Sequence, residues 1–189
     1  TGKLPRERDI LERLVLAFNG AFKTQHGAYG MMVEREVLLP PQDEAATIAT
    51  FDDGSARMGS WPAGAPIPEE MVSFRQNMDP LVEDGEVNPR RRYLWGFTLS
   101  EDIKEMNTIR SGICMTPAGT LIYGWGEDLT ATTLGIAMNA AGCSYGMHLD
   151  MNPYHTSFIY YRFPDGVNLD NPDFESEIAI RDMRYWEKR

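Results

Sequence analysis

The chain has 189 residues, of which 42% are hydrophobic and 24% charged, the composition of a folded domain with a sizeable core. Its formal net charge of −10 argues against a nucleic-acid-binding protein, which normally carries a basic stripe. No apolar run approaches the ~20 residues that a membrane-spanning helix needs, so we expect no membrane span. The chain begins at Thr1 rather than at a methionine, which is compatible with removal of an upstream segment.

The N-terminal part of the sequence predicts a short helix and a strand. Residues 5–12 are charged around a small apolar pair and begin with a proline, which favours the first turn of a helix. Residues 14–18 form a continuous apolar run, which predicts a buried strand that ends at the turn Asn19-Gly20. Further along, β-prone runs joined by turn residues predict three hairpins. They pair 31–33 with 37–39, 46–51 with 56–61, and 111–116 with 120–125.

Residues 62–89 are rich in proline, glycine and acidic side chains, and strand patterns resume beyond them. We therefore interpret this stretch as a long surface excursion within one domain. Inside it, residues 69–74 have a helical pattern and lead into the polar cluster Arg75-Gln76-Asn77. Residues 172–189 are also polar and charged, and we interpret them as a C-terminal extension of a single domain, 1–189.

A second helix is predicted over residues 130–141, where apolar residues recur at helical spacing. Thr130 can cap its first turn, and Gly142 can supply a left-handed stop. A short strand then leads to Asp150, and another apolar run follows at 158–161. Many hairpins with few helices predict an α+β fold, with a twisted, mixed but mostly antiparallel sheet packed by those helices.

The two cysteines, Cys114 and Cys143, both lie in apolar stretches of the sequence. They are compatible with one disulfide or with two buried thiols, and the compartment stays open. Neither has the polar neighbourhood of a catalytic thiol.

Three polar residues stand where predicted strands begin or end. Asp150 could act as a nucleophile or a base, and Arg110 could offer a planar fork to a phosphate or carboxylate. Asn19 could fix a substrate hydroxyl. Each has a structural alternative as well: a surface or salt-bridged arginine, a simple Asn-Gly turn, and an Asx-turn at the aspartate.

The sequence lacks two generic motifs of cofactor and metal sites, a phosphate-binding glycine loop and Cys-x-x-Cys. His148, Asp150 and His155 are residue types that bind metals. Strand alternation puts the first two on one face, whereas His155 lies beyond a proline turn. We therefore expect no metal and no cofactor.

Several short motifs follow one another between residues 14 and 163. They are Phe18-Asn19-Gly20-Ala21-Phe22 with His26-Gly27-Ala28-Tyr29-Gly30, Asp53-Gly54 with Gly59-Ser60-Trp61, Arg75-Gln76-Asn77, Ile109-Arg110-Ser111, and the stretch 129–150. Together they resemble the motifs of the phosphodiester glycosidase family, which includes N-acetylglucosamine-1-phosphodiester alpha-N-acetylglucosaminidases. The chain looks like a divergent, bacterial-type member.

The sequence after Asp150 differs from the Gly-Gly-Gly-Ser of that family and reads Met151-Asn152-Pro153-Tyr154-His155-Thr156. Triple glycine lets the backbone approach a sugar or phosphate closely, in a conformation that Met, Pro and Tyr do not share. Asn152 and His155 would then supply by side chain what backbone amides supply in the family.

The resemblance implies hydrolysis of a sugar 1-phosphodiester or a related exopolysaccharide linkage. Asp150 would support the oxocarbenium-like centre as nucleophile or base, and Arg110 would neutralise the departing phosphate. The implied substrate-binding residues are Asn19, Gly20, Asn152, His155 and Thr156.

The resemblance also implies a carbohydrate or sugar-phosphate substrate and a secreted or cell-envelope location. The alternative is a non-catalytic carbohydrate-binding or structural envelope module on the same scaffold. The altered loop after Asp150 and the aromatic content allow either function.

Overall fold

The computed structural model describes residues 7–20, 22–90, 106–152 and 156–182. Within these ranges it contains three α-helices, a short 3-10 turn and thirteen strands. The helices are α1 (Arg8–Leu11), α2 (Ala131–Ala140) and α3 (Phe174–Ile178), and the 3-10 turn is Thr24–His26. The strands are β1 (Leu16–Phe18), β2 (Met31–Val33), β3 (Glu36–Leu39), β4 (Ala46–Phe51), β5 (Ala56–Ser60), β6 (Met71–Gln76), β7 (Val82–Glu83), β8 (Glu86–Val87), β9 (Thr108–Met115), β10 (Leu121–Leu129), β11 (Tyr145–His148), β12 (Phe158–Tyr161) and β13 (Ala179–Asp182).

The strands form three sheets, and every ladder among the described residues is antiparallel. Strand accounts for 38% and helix for 13% of the described structure, so the fold is richer in sheet than the predicted α+β class suggests. The expectation of mostly antiparallel hairpins is confirmed. None of the helices in the described ranges has the length and apolar character that crossing a bilayer requires.

One compact unit comprises Thr1–Asn19 and His155–Arg189, and we call its sheet, β1-β12-β13, the terminal sheet. The predicted buried strand at 14–18 is wrong in its burial, because β1 is an edge strand and Val15 is 63% exposed. The interpretation of 172–189 as a polar extension is also corrected over its described part. Phe174 and Ile178 lie one helical turn apart on α3 and pack with Leu11 and Val167 in the core of this unit.

The second unit, Gly20–Tyr154, contains the other two sheets. The first of these, β3-β2-β6-β4-β5, is called the outer sheet. The structure corrects the surface excursion predicted at 62–89, because β6 is the central strand of this sheet. The helical pattern predicted at 69–74 is wrong for the same reason: residues of β6 pair with β2 on one side and β4 on the other. These long-range ladders override the local propensity.

The helix-backed sheet, β10-β9-β11-β7-β8, packs one face against α2. Glycines make the contact close: a Cβ added at Gly112 would lie 2.6 Å from the Met138 methyl carbon. The predicted helix is confirmed, since Thr130 forms a capping box with Thr133 and Gly142 has φ +88°. On the other face, the Ser60 hydroxyl of β5 lies 3.0 Å from the Tyr145 hydroxyl of β11, so the two sheets of this unit face each other.

Cys114 of β9 and Cys143, which follows α2, form a disulfide with a Cα–Cα distance of 5.8 Å. Of the two alternatives left open by the sequence, the structure contains the disulfide. It ties the helix to the strand that carries Arg110 and Ser111.

Candidate functional site

The predicted catalytic carboxylate lies directly beyond the end of β11, beside a bulge in its ladder with β9. The Ser111 carbonyl accepts a hydrogen bond from the Leu149 amide at 2.9 Å, whereas the Ser111 amide donates to the Asp150 carbonyl at 3.0 Å. The Ser111 hydroxyl donates to the same carbonyl at 2.6 Å. Leu149 and Asp150 therefore both pair with the single residue Ser111. This is a β-bulge, which changes the direction of a side chain at the end of a strand.

Asp150 is partly exposed, and its Oδ1 accepts a hydrogen bond from the Asn152 amide at 2.8 Å. This is the Asx-turn that the sequence raised as a structural alternative. The turn orients the carboxylate without burying it, so the side chain is both ordered and accessible.

Tyr123 of β10 lies close enough to Asp150 to feel the charge of its carboxylate. Burial raises the pKa of the Tyr123 phenol, a hydrogen bond with the Ser111 side chain lowers it, and the Asp150 charge raises it further. The phenol therefore stays neutral near pH 7 and can donate a hydrogen bond. Ser111, Tyr123 and Asp150 form a small polar group that we call the carboxylate cluster.

Arg110 lies on the other face of β9, the face that Gly112 turns towards α2. Its side chain is fully buried, and it donates to the carbonyls of Leu129 and Met106, each at 2.8 Å. In this arrangement the guanidinium holds the backbone at Leu129 and Met106. The predicted contact with a departing phosphate stays a prediction.

His148 of β11 is also fully buried and lies close enough to feel the charge of Arg110. Burial and then the Arg110 charge hold the pKa of this imidazole well below its ordinary value, so it is neutral at pH 7. A neutral imidazole and a charged guanidinium thus lie near each other in the interior, on the face of β9 and β11 that packs against α2.

We expect the buried His148 to weaken the fold in acid. Below about pH 6.5 the unfolded chain binds a proton at this histidine that the folded chain does not bind, so the free energy of unfolding falls by up to about 1.4 kcal/mol per pH unit from this group. Urea unfolding of the wild type and of His148→Gln at about pH 7.5 and about pH 5.5 checks this. The variant should lose less stability on acidification. A His26→Gln control, which changes an exposed histidine, should behave as the wild type. Equal losses in the wild type and His148→Gln would contradict the assignment.

Asn77 links two of the motifs that the sequence singled out. Its Nδ2 donates to the Gly20 carbonyl at 2.8 Å and to the His148 carbonyl at 3.0 Å. The opening Asn-Gly motif and the end of β11 are therefore held at one buried amide. Arg75 and Gln76 act similarly, since Arg75 donates to the carbonyls of Phe22 and Tyr29, and Gln76 Oε1 accepts from the Gly30 amide at 3.1 Å.

The predicted site residues are divided between the two units. Arg110, Asp150, Asn152 and Gly20 belong to the unit formed by Gly20–Tyr154. Asn19 and Thr156 belong to the other unit, where the Asn19 amide donates to the Ser157 carbonyl at 3.1 Å and Thr156 is buried. His155 lies outside the described residues.

Sequence reasoning missed Tyr123, Ser111 and Asn77 as members of the site. Tyr123 lies in a predicted strand among other aromatic residues, and no local pattern separates it from core tyrosines. Asn77 does carry a signal, because it ends the polar run Arg75-Gln76-Asn77, but the composition around that run predicts a surface excursion. The run is placed in the interior only by the pairing of β6 with β2 and β4.

The arrangement of strands is similar to that of one solved glycosidase domain. That structure is the zebrafish N-acetylglucosamine-1-phosphodiester alpha-N-acetylglucosaminidase (NAGPA) catalytic domain, auto-inhibited by its pro-peptide. The TM-score is 0.59 at 11% sequence identity, over 79% of this chain and 54% of that one. The likeness shows a glycosidase-like fold. This chain spans about half the length of that structure. At the level of sequence, no family model and no curated protein matches the chain.

Proposed function

We propose that the protein is a divergent phosphodiester glycosidase that hydrolyses a sugar 1-phosphodiester or a related exopolysaccharide linkage. The observation that carries the proposal is Asp150, an ordered and accessible carboxylate at a bulge, on a fold similar to a glycosidase catalytic domain. The order of the sequence motifs around Gly20, Arg110 and Asp150 supports the same assignment.

The chemistry of the leaving group fits a site with one carboxylate. A phosphate monoester is stable as an anion near neutral pH, so it can depart with the electron pair of the C1–O bond and with little protonation. The usual requirement for a second carboxylic acid that protonates the leaving oxygen is then relaxed. Asp150 either attacks C1 or takes a proton from the water that does.

The carboxylate cluster supplies the remaining polar groups. The neutral Tyr123 phenol is hydrogen-bonded to the Ser111 hydroxyl, which itself donates to the Asp150 carbonyl. We assign Arg110 a positioning and electrostatic role, since it supports the chain around Leu129 and Met106 and carries a positive charge in a region of low dielectric. Binding roles for Asn19, Asn152, His155 and Thr156 stay predictions from the sequence.

A secreted or cell-envelope location is part of the proposal. The Cys114–Cys143 disulfide supports it, because structural disulfides persist mainly in oxidising compartments.

A panel of α- and β-linked sugar 1-phosphodiesters, followed by NMR of the released sugar, tests the function. Hydrolysis with retained configuration at C1 would make Asp150 the nucleophile, and inversion would make it the base for water. Binding of carbohydrate without cleavage of any member would reject the enzyme in favour of the non-catalytic module. The full burial of Arg110 favours this second function, because a buried guanidinium does not contact a departing phosphate.

A further inference from the structure

An apolar cleft of about 230 Å³ opens on the outer sheet, on the face turned away from the helix-backed sheet. Alternation along β5 places Arg57, Gly59 and Trp61 on this face, whereas Ser60 turns inwards to Tyr145. Phe51, Pro66 and Met71 complete its walls. The cleft lies on the outer sheet, whereas Ser111 and Tyr123 of the carboxylate cluster lie on the helix-backed sheet, so the cleft is a separate feature of the same unit.

The floor of the cleft is left bare by a glycine. A Cβ added at Gly59 would have no other atom within 4 Å. In a well-packed strand interior such space is normally filled, because interiors pack at the density of organic crystals. Its backbone does not adopt a positive φ, so the turn-forming freedom of glycine does not explain this residue. The missing side chain leaves room for a ligand.

The polar side chains around the cleft are hydrogen-bonded within the protein, and Arg57 alone among them keeps most of its N–H groups available. The Thr47 hydroxyl bonds to Gln76 and to the Ala45 carbonyl, and the Trp61 indole donates to the Ala65 carbonyl at 3.2 Å. Arg57 has a single protein acceptor in the described part of the chain, Asp53 Oδ2 at 3.3 Å. Its guanidinium stacks over the Phe51 ring at 4.1 Å, at the mouth of the cleft.

The ion pair between Arg57 and Asp53 does not neutralise this position. Both side chains are more than half exposed, and surface pairs of this kind contribute little. The remaining N–H groups of the guanidinium can donate charge-assisted hydrogen bonds to a carboxylate from solvent. The cleft therefore offers one cationic group above an apolar floor.

We propose that this cleft binds a small amphiphilic carboxylate, with its hydrocarbon body over Gly59 and its carboxylate on Arg57. The cleft volume of about 230 Å³ exceeds the roughly 150 Å³ of an engineered apolar cavity that holds benzene, so a short hydrocarbon chain has room here. An eight-carbon fatty acid matches both the size and the charge. The proposal does not depend on the glycosidase activity.

Octanoate and 1-octanol are the probes, and the methyl resonance of Met71, which lines the cleft, is the readout. We expect octanoate at up to ~10 mM to shift this methyl resonance in the wild type. Gly59→Val, which fills the floor with a strand-favouring side chain, should weaken binding at least ~10-fold. Ala56→Val, an exposed position of the same strand, is the matched control and should bind as the wild type.

Arg57→Gln separates the charge from the cavity and changes only an exposed side chain. It should weaken octanoate about 5- to 10-fold and leave 1-octanol unchanged. No shift with octanoate, or undiminished binding in Gly59→Val, would overturn the ligand site. Equal affinity of the wild type for octanoate and 1-octanol would overturn the assignment of a carboxylate. If Gly59→Val does not fold, the Arg57→Gln comparison alone decides between these outcomes.

Discussion

Asp150→Asn is expected to lower turnover of a sugar 1-phosphodiester at least ~100-fold while the protein stays folded. The amide oxygen of asparagine can still accept the hydrogen bond from the Asn152 amide, so the Asx-turn is preserved. What is lost is the negative charge that stabilises the oxocarbenium-like centre, together with the ability to attack C1 or to accept a proton. Steady-state kinetics and thermal unfolding of the wild type and the variant give both quantities.

The matched control is Asp53→Asn. Asp53 also accepts a hydrogen bond from an amide two residues on, Ser55 at 2.8 Å, in an exposed Asx-turn. Its replacement should leave turnover unchanged. Tyr123→Phe should fall between the two, because it removes a donor of the carboxylate cluster and not the carboxylate. Full activity in Asp150→Asn would remove this residue from the mechanism, even if the substrate assignment holds.

Removal of the disulfide is expected to have the largest effect on stability. Cys114 and Cys143 are 29 residues apart, and closing a loop of that length stabilises the folded state by about 3.5 kcal/mol in the chain-entropy estimate. The loop contains β10 and α2, so loss of the disulfide should mainly destabilise the helix-backed sheet. Urea unfolding of the oxidised wild type and of Cys114→Ala/Cys143→Ala measures the difference.

Chemical reduction of the wild type provides the control for this experiment. It breaks the same bond without removing either sulfur from the buried face, so it separates the cross-link from the packing of the side chains. Reduced wild type and the double variant should have similar urea midpoints, both below that of the oxidised protein. An unchanged midpoint on reduction, or two free thiols in the unreduced protein, would contradict the disulfide.

Elements that depend on neighbours in sequence were predictable. The helix α2 ends at Ala140; its capping box joins Thr130 to Thr133, and Gly142 with its positive φ follows the C-terminal cap, so each signal is local in sequence. The hairpin of β4 and β5 needs only two β-prone runs and the turn at Asp53-Gly54. The Asx-turn at Asp150 is local in the same sense.

Elements that depend on distant partners were not predictable. The sequences that flank β6 have the composition of surface loops. β6 is nevertheless a strand, because β2 and β4 satisfy its backbone hydrogen bonds. Tyr123 joins Asp150 only because β10, β9 and β11 are neighbours in one sheet. Arg110 lies on the face of β9 that packs against α2 and not on the opposite face, and the same register decides this.

The sequence by itself determined the hairpins, the capped helix, the acidic charge and the candidate aspartate, because turn geometry, capping and side-chain charge are properties of residues and their immediate neighbours. Only the tertiary structure decided that Arg75-Gln76-Asn77 lies in the interior, that Arg110 is enclosed, and that a bare glycine opens a cleft beneath Arg57. The physical reason is that burial and strand register are set by the pairing of segments far apart in the chain, where a shift of one residue exchanges the two faces of a strand.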